Sequence, residues 1–190
     1  MRTHKISYLL VFSTLIISCF SKPVSYAVGI GGYQIQFPIT SGELQTRYPN
    51  AKQTLSAYLT DTSENIQVVW HFEGFVQDKK SQPYGVIIRL KNKADKLDSI
   101  RGAFEKLYQM PFQPILQPKH LGKYEYYEKD STLAVMQINE DVQLSMSRRK
   151  IWPAGGYQFT NDVLIAICYG RTDTEKERFA MKQGDIRVRD

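Results

Sequence analysis

Two hydrophobic periods organise this chain. Ile66, Val68, Trp70 and Phe72 alternate with Gln67, Val69 and His71, and Tyr33, Ile35 and Phe37 alternate with Gln34 and Gln36. A period of two is that of a strand. Leu97, Ile100, Phe104, Leu107 and Tyr108 instead recur in steps that put them on one side of a 3.6-residue helix, so a helix over about 95–108 with Leu107 in the core is expected. Lys123–Glu128, Thr132–Asn139 and Val142–Arg149 follow as strands separated by hairpin-length turns. Val163–Tyr169 is apolar on both faces, which predicts a central strand covered on both sides, with Ile165 in the core.

Upstream, Thr40 and Glu43 have the spacing of a capping box, opening a short helix that Pro49 stops. Gln53–Leu59, Ile66–Phe72 and Tyr84–Leu90 then read as strands, with Asp61–Asn65 as a turn and Gln77–Pro83 as a polar loop. The expectation is an α+β fold in which helix-plus-three-strands occurs twice and a C-terminal strand and helix complete the antiparallel sheet. The divisions are a leader over 1–27, a flexible linker over 28–32, a first unit over 33–92, a second over 93–150 and the closing strand and helix over 151–190.

The leader changes how the charge is read. Arg2 and Lys5 precede an apolar run from Ile6 to Ile17, shorter than the roughly 20 residues a membrane-spanning helix needs and built like an export signal. Ser25-Tyr26-Ala27 offers one cleavage exit. Ile16-Ile17-Ser18-Cys19 offers another, in which a lipidated Cys19 would be the first mature residue. The net charge is +6, but setting aside Arg2, Lys5 and Lys22 leaves 22 basic residues against 19 acidic ones. That near-balance gives no reason to expect a nucleic-acid partner. Cys168, inside an apolar run, reads as a core thiol.

These features resemble the small exported bacterial proteins built from tandem helix-plus-sheet repeats, the architecture of the beta-lactamase inhibitory protein and of the SmpA-type outer-membrane assembly lipoproteins. The carrying residues are Gly42-Glu43-Leu44 with Tyr48-Pro49-Asn50-Ala51, the run Tyr84–Leu90, Phe104–Tyr108 with the turn-linked strands after it, and the export signal. The resemblance covers about residues 33–150 and implies a binding or assembly module without catalysis. The cysteine pairs of the inhibitory protein are not present in this chain.

Candidate chemistry is sparse. His71 and Glu73 are spaced to share a strand face, as metal ligands can, but no third ligand has matching spacing, and no metal or other cofactor is expected. Glu125, Glu128, Asp130, Glu140 and Asp141 lie near hairpin ends, where an acid/base pair would be sought. The aromatic and basic residues are better candidates for a contact surface: Tyr124, Tyr126 and Tyr127 on one strand, and Arg148, Arg149 and Lys150 beside Trp152. Both arginines are expected to be removable without cost to the fold. The functional reading is a periplasmic or secreted non-enzymatic protein, or an outer-membrane lipoprotein, that contacts another envelope or extracellular protein. It touches the membrane only through an N-terminal lipid. The alternatives are an envelope hydrolase using paired carboxylates and a small-ligand-binding periplasmic protein.

Overall fold

A computed structural model describes residues 25–114, 132–151 and 158–181. The chain opens with a hairpin of β1 (Tyr26–Ile30) and β2 (Tyr33–Phe37), followed by helix α1 (Ser41–Arg47). Four strands come next: β3 (Lys52–Leu55), β4 (Tyr58–Thr62), β5 (Ile66–Phe72) and β6 (Pro83–Leu90). After a 3-10 turn at Ala94–Lys96, helix α2 (Leu97–Tyr108) leads to β7 (Gln113–Pro114), β8 (Ala134–Gln137), β9 (Val142–Ile151) and β10 (Gln158–Tyr169). Helix α3 (Asp173–Met181) follows.

The described strands after α1 form one eight-stranded antiparallel sheet, in the order β3-β4-β5-β6-β10-β9-β8-β7. Among the described residues each unit is thus a helix followed by four strands, and the two sets join through their last strands. The expected strand Lys123–Glu128 lies outside the described residues, β7 was not expected, and the three-strand units change in two further places. Gln53–Leu59 is not one strand but a hairpin turning at Ser56-Ala57, with Lys52 opposite Thr60. Val163–Tyr169 is the end of β10, which belongs to the second set, so that unit runs past residue 150. The strand is central as expected, paired with β6 on one side and β9 on the other.

Residues 28–32 are a hairpin and not a linker. Tyr26, Val28 and Ile30 of β1 face inward at a strand's period, and Gly31 and Gly32 turn at φ of +57° and +88°. Positive φ at both turn positions is what a two-residue hairpin loop demands, which is why glycines stand there. A Cβ at Gly31 would also lie 2.7 Å from Ile66 Cδ1.

One face of the sheet carries Val68, Trp70, Val86, Ile88, Leu144, Met146, Ile165 and Ile167 into a core closed by the β1–β2 hairpin, by Leu44 of α1 and by Leu97 and Phe104 of α2. Leu107 is not in that core. The buried stripe of α2 runs through Leu97 and Phe104, and Leu107 sits on its flank at 61% exposure. On the opposite face, Ile87, Leu164, Ala166 and Cys168 pack with Phe179 of α3. The ring of Phe179 lies where a side chain at Gly85 would be: an added Cβ would come within 2.5 Å of Phe179 Cζ. Burial raises the Cys168 thiol to about 12, which keeps it an unreactive small hydrophobe. Among the described residues, no helix is long and apolar enough to cross a membrane.

Candidate functional site

The end of the sheet where β5 passes to β6 is built around a fastened loop. The box that opens α1 is fully made: Thr40 N–H donates to Glu43 Oε2 at 2.7 Å and Glu43 N–H to Thr40 Oγ1 at 3.3 Å. Hydrogen bonding to Thr40 holds the Glu43 carboxyl below its ordinary range. The next two amides of the helix have no partner inside it, as at any helix start. They donate outward to the loop, Ser41 N–H to Ser81 O at 2.7 Å and Gly42 N–H to Lys79 O at 3.0 Å. The buried Ser41 hydroxyl donates to Val76 O. A Cβ at Gly42 would stand 3.2 Å from Lys79 O, so the helix start and the loop are in close contact.

The other flank of the loop is tied to the β3–β4 turn. Phe72 N–H donates to Ala57 O and Val76 N–H to Ser56 O, both at 2.9 Å. Inside the loop, Asp78 Oδ1 accepts from Lys80 N–H at 3.0 Å. Val76 is wholly buried and anchors the segment, while its neighbour Phe75 is 65% exposed. Leu55, one residue from the Ser56 carbonyl, is 63% exposed. These bonds bring the two backbone segments together at one end of the sheet, and the Phe75 and Leu55 side chains are both exposed there. Lys52, Glu73, Asp78, Lys79 and Lys80 around them are exposed, giving a rim of mixed sign.

Behind this tip is an aromatic cluster. His71 meets Tyr58 edge-on at 4.7 Å between centroids and Phe179 at 5.2 Å. Tyr84 joins Phe179 at 5.6 Å and carries the Arg171 guanidinium over its ring at 4.5 Å. Arg171 also pairs with Glu73 at 3.0 Å and with Glu175 at 3.6 Å. These contacts fasten the start of α3 to the loop end of the sheet. His71 and Glu73 are not both strand residues, since β5 ends at Phe72. The register shifts between His71 and Phe72, and Glu73 lies beyond the strand in its pair with Arg171. Among the described residues, no group of three His, Cys, Asp or Glu side chains is placed to hold a metal ion.

The basic run divides across the sheet. Arg148 lies opposite Val163 and so projects on the core face, where its Nη2 donates to Thr160 O at 3.1 Å and its guanidinium stands 5.2 Å from the Phe159 ring centroid. Arg149, one residue on, projects from the other face and is buried at 8% exposure. Its Nη1 lies 3.7 Å from Asp162 Oδ2, which also accepts from Arg89 Nε at 2.7 Å, while Asp162 Oδ1 accepts from Asn92 N–H at 3.0 Å. Burial alone would raise the Asp162 carboxyl. The Asn92 amide and the two arginines outweigh it and hold the group below its ordinary value. Adjacent strand residues alternate faces, so Arg148 and Arg149 cannot form one patch. Arg149 is part of the fold, contrary to the expectation that it is removable without cost.

Of the other sequence candidates, Lys150 lies within β9 and only its backbone is described. Tyr124, Tyr126, Tyr127, Trp152 and Cys19 lie outside the described residues, as do Glu125, Glu128 and Asp130. Glu140 and Asp141 sit in the β8–β9 turn, where Glu140 O accepts from the buried Lys176 Nζ and Asp141 O from Gly170 N–H at 2.9 Å. Phe75 and Leu55 were not among the candidates. The available signal was Gly74-Phe75-Val76, where an aromatic residue falls outside the alternation of Ile66–Phe72 and just ahead of a polar loop.

Comparison with known proteins finds no matching family model, no matching curated protein and no matching solved structure.

Proposed function

We propose that this is an exported, non-enzymatic binding or assembly protein of the bacterial cell envelope, and that it grips a protein partner through the tip formed by Phe75 and Leu55. The observation that carries this reading is the pairing of a backbone fastened on two sides with a Phe75 ring 65% exposed. An exposed aromatic ring normally costs free energy in water, and a backbone already fastened lowers the ordering cost this loop would otherwise pay on binding. Buried aromatic anchors ringed by polar contacts are where interface energy concentrates. The mixed signs of Lys52, Glu73, Asp78, Lys79 and Lys80 suit a protein surface better than an anionic lipid sheet, which favours cations alone.

Three described carboxylates are engaged in structural contacts, which suits a contact protein better than a hydrolase. Asp162 holds two arginines, Glu73 holds Arg171 and Glu43 holds the start of α1. None of these three is left to act as a general acid or base. The sequence resemblance to exported inhibitory and assembly proteins implies the same kind of non-catalytic module.

The test is a photo-reactive amino acid placed at Phe75 in the full-length protein in its native envelope. A discrete crosslinked protein obtained from Phe75, and not from the exposed Glu64 on the opposite end of β5, supports the reading. Identical crosslinking profiles from both positions contradict it.

A further inference from the structure

The β1–β2 hairpin discriminates between the two leader exits that the sequence offers. Tyr26 is only 5% exposed, and it is the first residue of β1, opposite Phe37. Its ring stacks on that of Tyr108 in α2 with centroids 6.3 Å apart, and the two hydroxyls are hydrogen-bonded at 2.8 Å. Ala27 pairs with Gln36, and Val28 and Ile30 are each 7% exposed. Tyr26 therefore ties the hairpin to the second helix and closes one corner of the core.

Cleavage after Ala27 would remove Tyr26 and Ala27 from this arrangement. The strand would shrink from five residues to three, the partly buried Tyr108 hydroxyl would lose its partner, and a new ammonium group would form at the buried Val28. A charged terminus at a buried position carries a large desolvation cost. Hydrolysis of the Ser18–Cys19 peptide bond leaves the whole of β1 in place with seven residues, Cys19 to Ser25, ahead of it.

Resting on the export reading above, we propose that the mature protein retains Tyr26 and that the leader is removed upstream of it, not after Ala27. Tyr26 belongs to the folded body, and the small residues around it are strand positions rather than a peptidase exit.

Two measurements test this. The full-length chain with a C-terminal tag is expressed in an exporting bacterium, recovered folded from the envelope, and its N-terminus read by intact mass and sequencing. A first residue at Cys19, with or without acyl mass, or at any later position up to Tyr26 upholds retention, and a first residue at Val28 or beyond overturns it. In the second arm, purified chains beginning at Phe20 and at Val28 are melted side by side. The shorter chain is expected to melt lower by on the order of 10 °C, the scale for loss of a buried aromatic side chain in a protein of this size. Equal melting temperatures overturn the proposal. A chain left uncut in the cytoplasm counts against export, and the melting arm then decides the role of Tyr26 by itself.

Discussion

The two ends of the eight-stranded sheet are held by different physics. At one end, Arg89 and Arg149 close on the buried Asp162 in an ionic cluster. At the other, backbone amides from α1 and from the loop itself hold residues 72–81 in place while Phe75 and Leu55 point into water. The first end closes through side-chain ion pairs. The second is fastened largely by main-chain bonds, with the Ser41 hydroxyl on Val76 O added, and leaves the Phe75 and Leu55 side chains exposed.

Four outcomes would sharpen or break that comparison, and the largest belongs to the ionic end. Asp162→Ala leaves two arginines facing each other in a poorly solvated place. It is expected to destabilise the fold by about 3–5 kcal/mol in denaturant titrations, with crosslinking through Phe75 unchanged under native conditions. A loss below about 1 kcal/mol would mean that the cluster is solvated and the contrast between the ends is false. The same group sets an acid dependence. Its carboxyl is held below its ordinary value in the folded state, so its contribution is complete above about pH 5 and is lost as pH falls through the folded value. The melting temperature of the unmodified protein should therefore fall on acidification, and Asp162→Asn should make that fall shallower; parallel curves would contradict the assignment.

Ser41→Ala comes next. It deletes the hydroxyl that donates to Val76 O and is expected to cost about 1–2 kcal/mol in thermal or chemical melts. Because it loosens the loop, it should also reduce partner capture, and unchanged capture would show that rigidity is irrelevant to the tip. Phe75→Ala has the smallest expected effect on stability, within about 0.5 kcal/mol. It should nevertheless lower partner affinity at least about tenfold, the signature of a contact anchor. A large loss of stability with affinity intact would reverse the roles assigned to the two ends.

The sequence was legible where local and tertiary forces agree. The Thr40–Glu43 box, the alternation of Ile66–Phe72 and the double-sided apolarity of Val163–Tyr169 each specify an element by local chemistry, and each element is present. The hairpin at Ser56-Ala57 was hidden because neither residue is a strong turn former; its position is secured by Phe72 and Val76 amides that lie far along the chain. Val28–Gly32 looked like a linker because its apolar residues were divided between the leader and a glycine run. Leu107 shows the limit of helical periodicity, which finds the apolar side of α2 but not which edge of it the sheet covers.

The contact residues were the least legible. Arg148-Arg149-Lys150 looks like one patch in text, yet the strand's period of two divides its arginines between faces. Phe75 could not be distinguished from a core residue without knowing that Val76 takes the buried place beside it. Both errors arise from side-chain direction, which depends on how β9 and the β5–β6 loop are seated.

The most direct test compares Phe75 with Leu107, since the two are almost equally exposed, at 65% and 61%. A photo-crosslinker is placed at each position in turn in the full-length protein in its native envelope. A discrete partner band from Phe75 and none from Leu107 is the expected result. Equal labelling from both, or labelling from Leu107 alone, would contradict the claim that the fastened tip is the contact site.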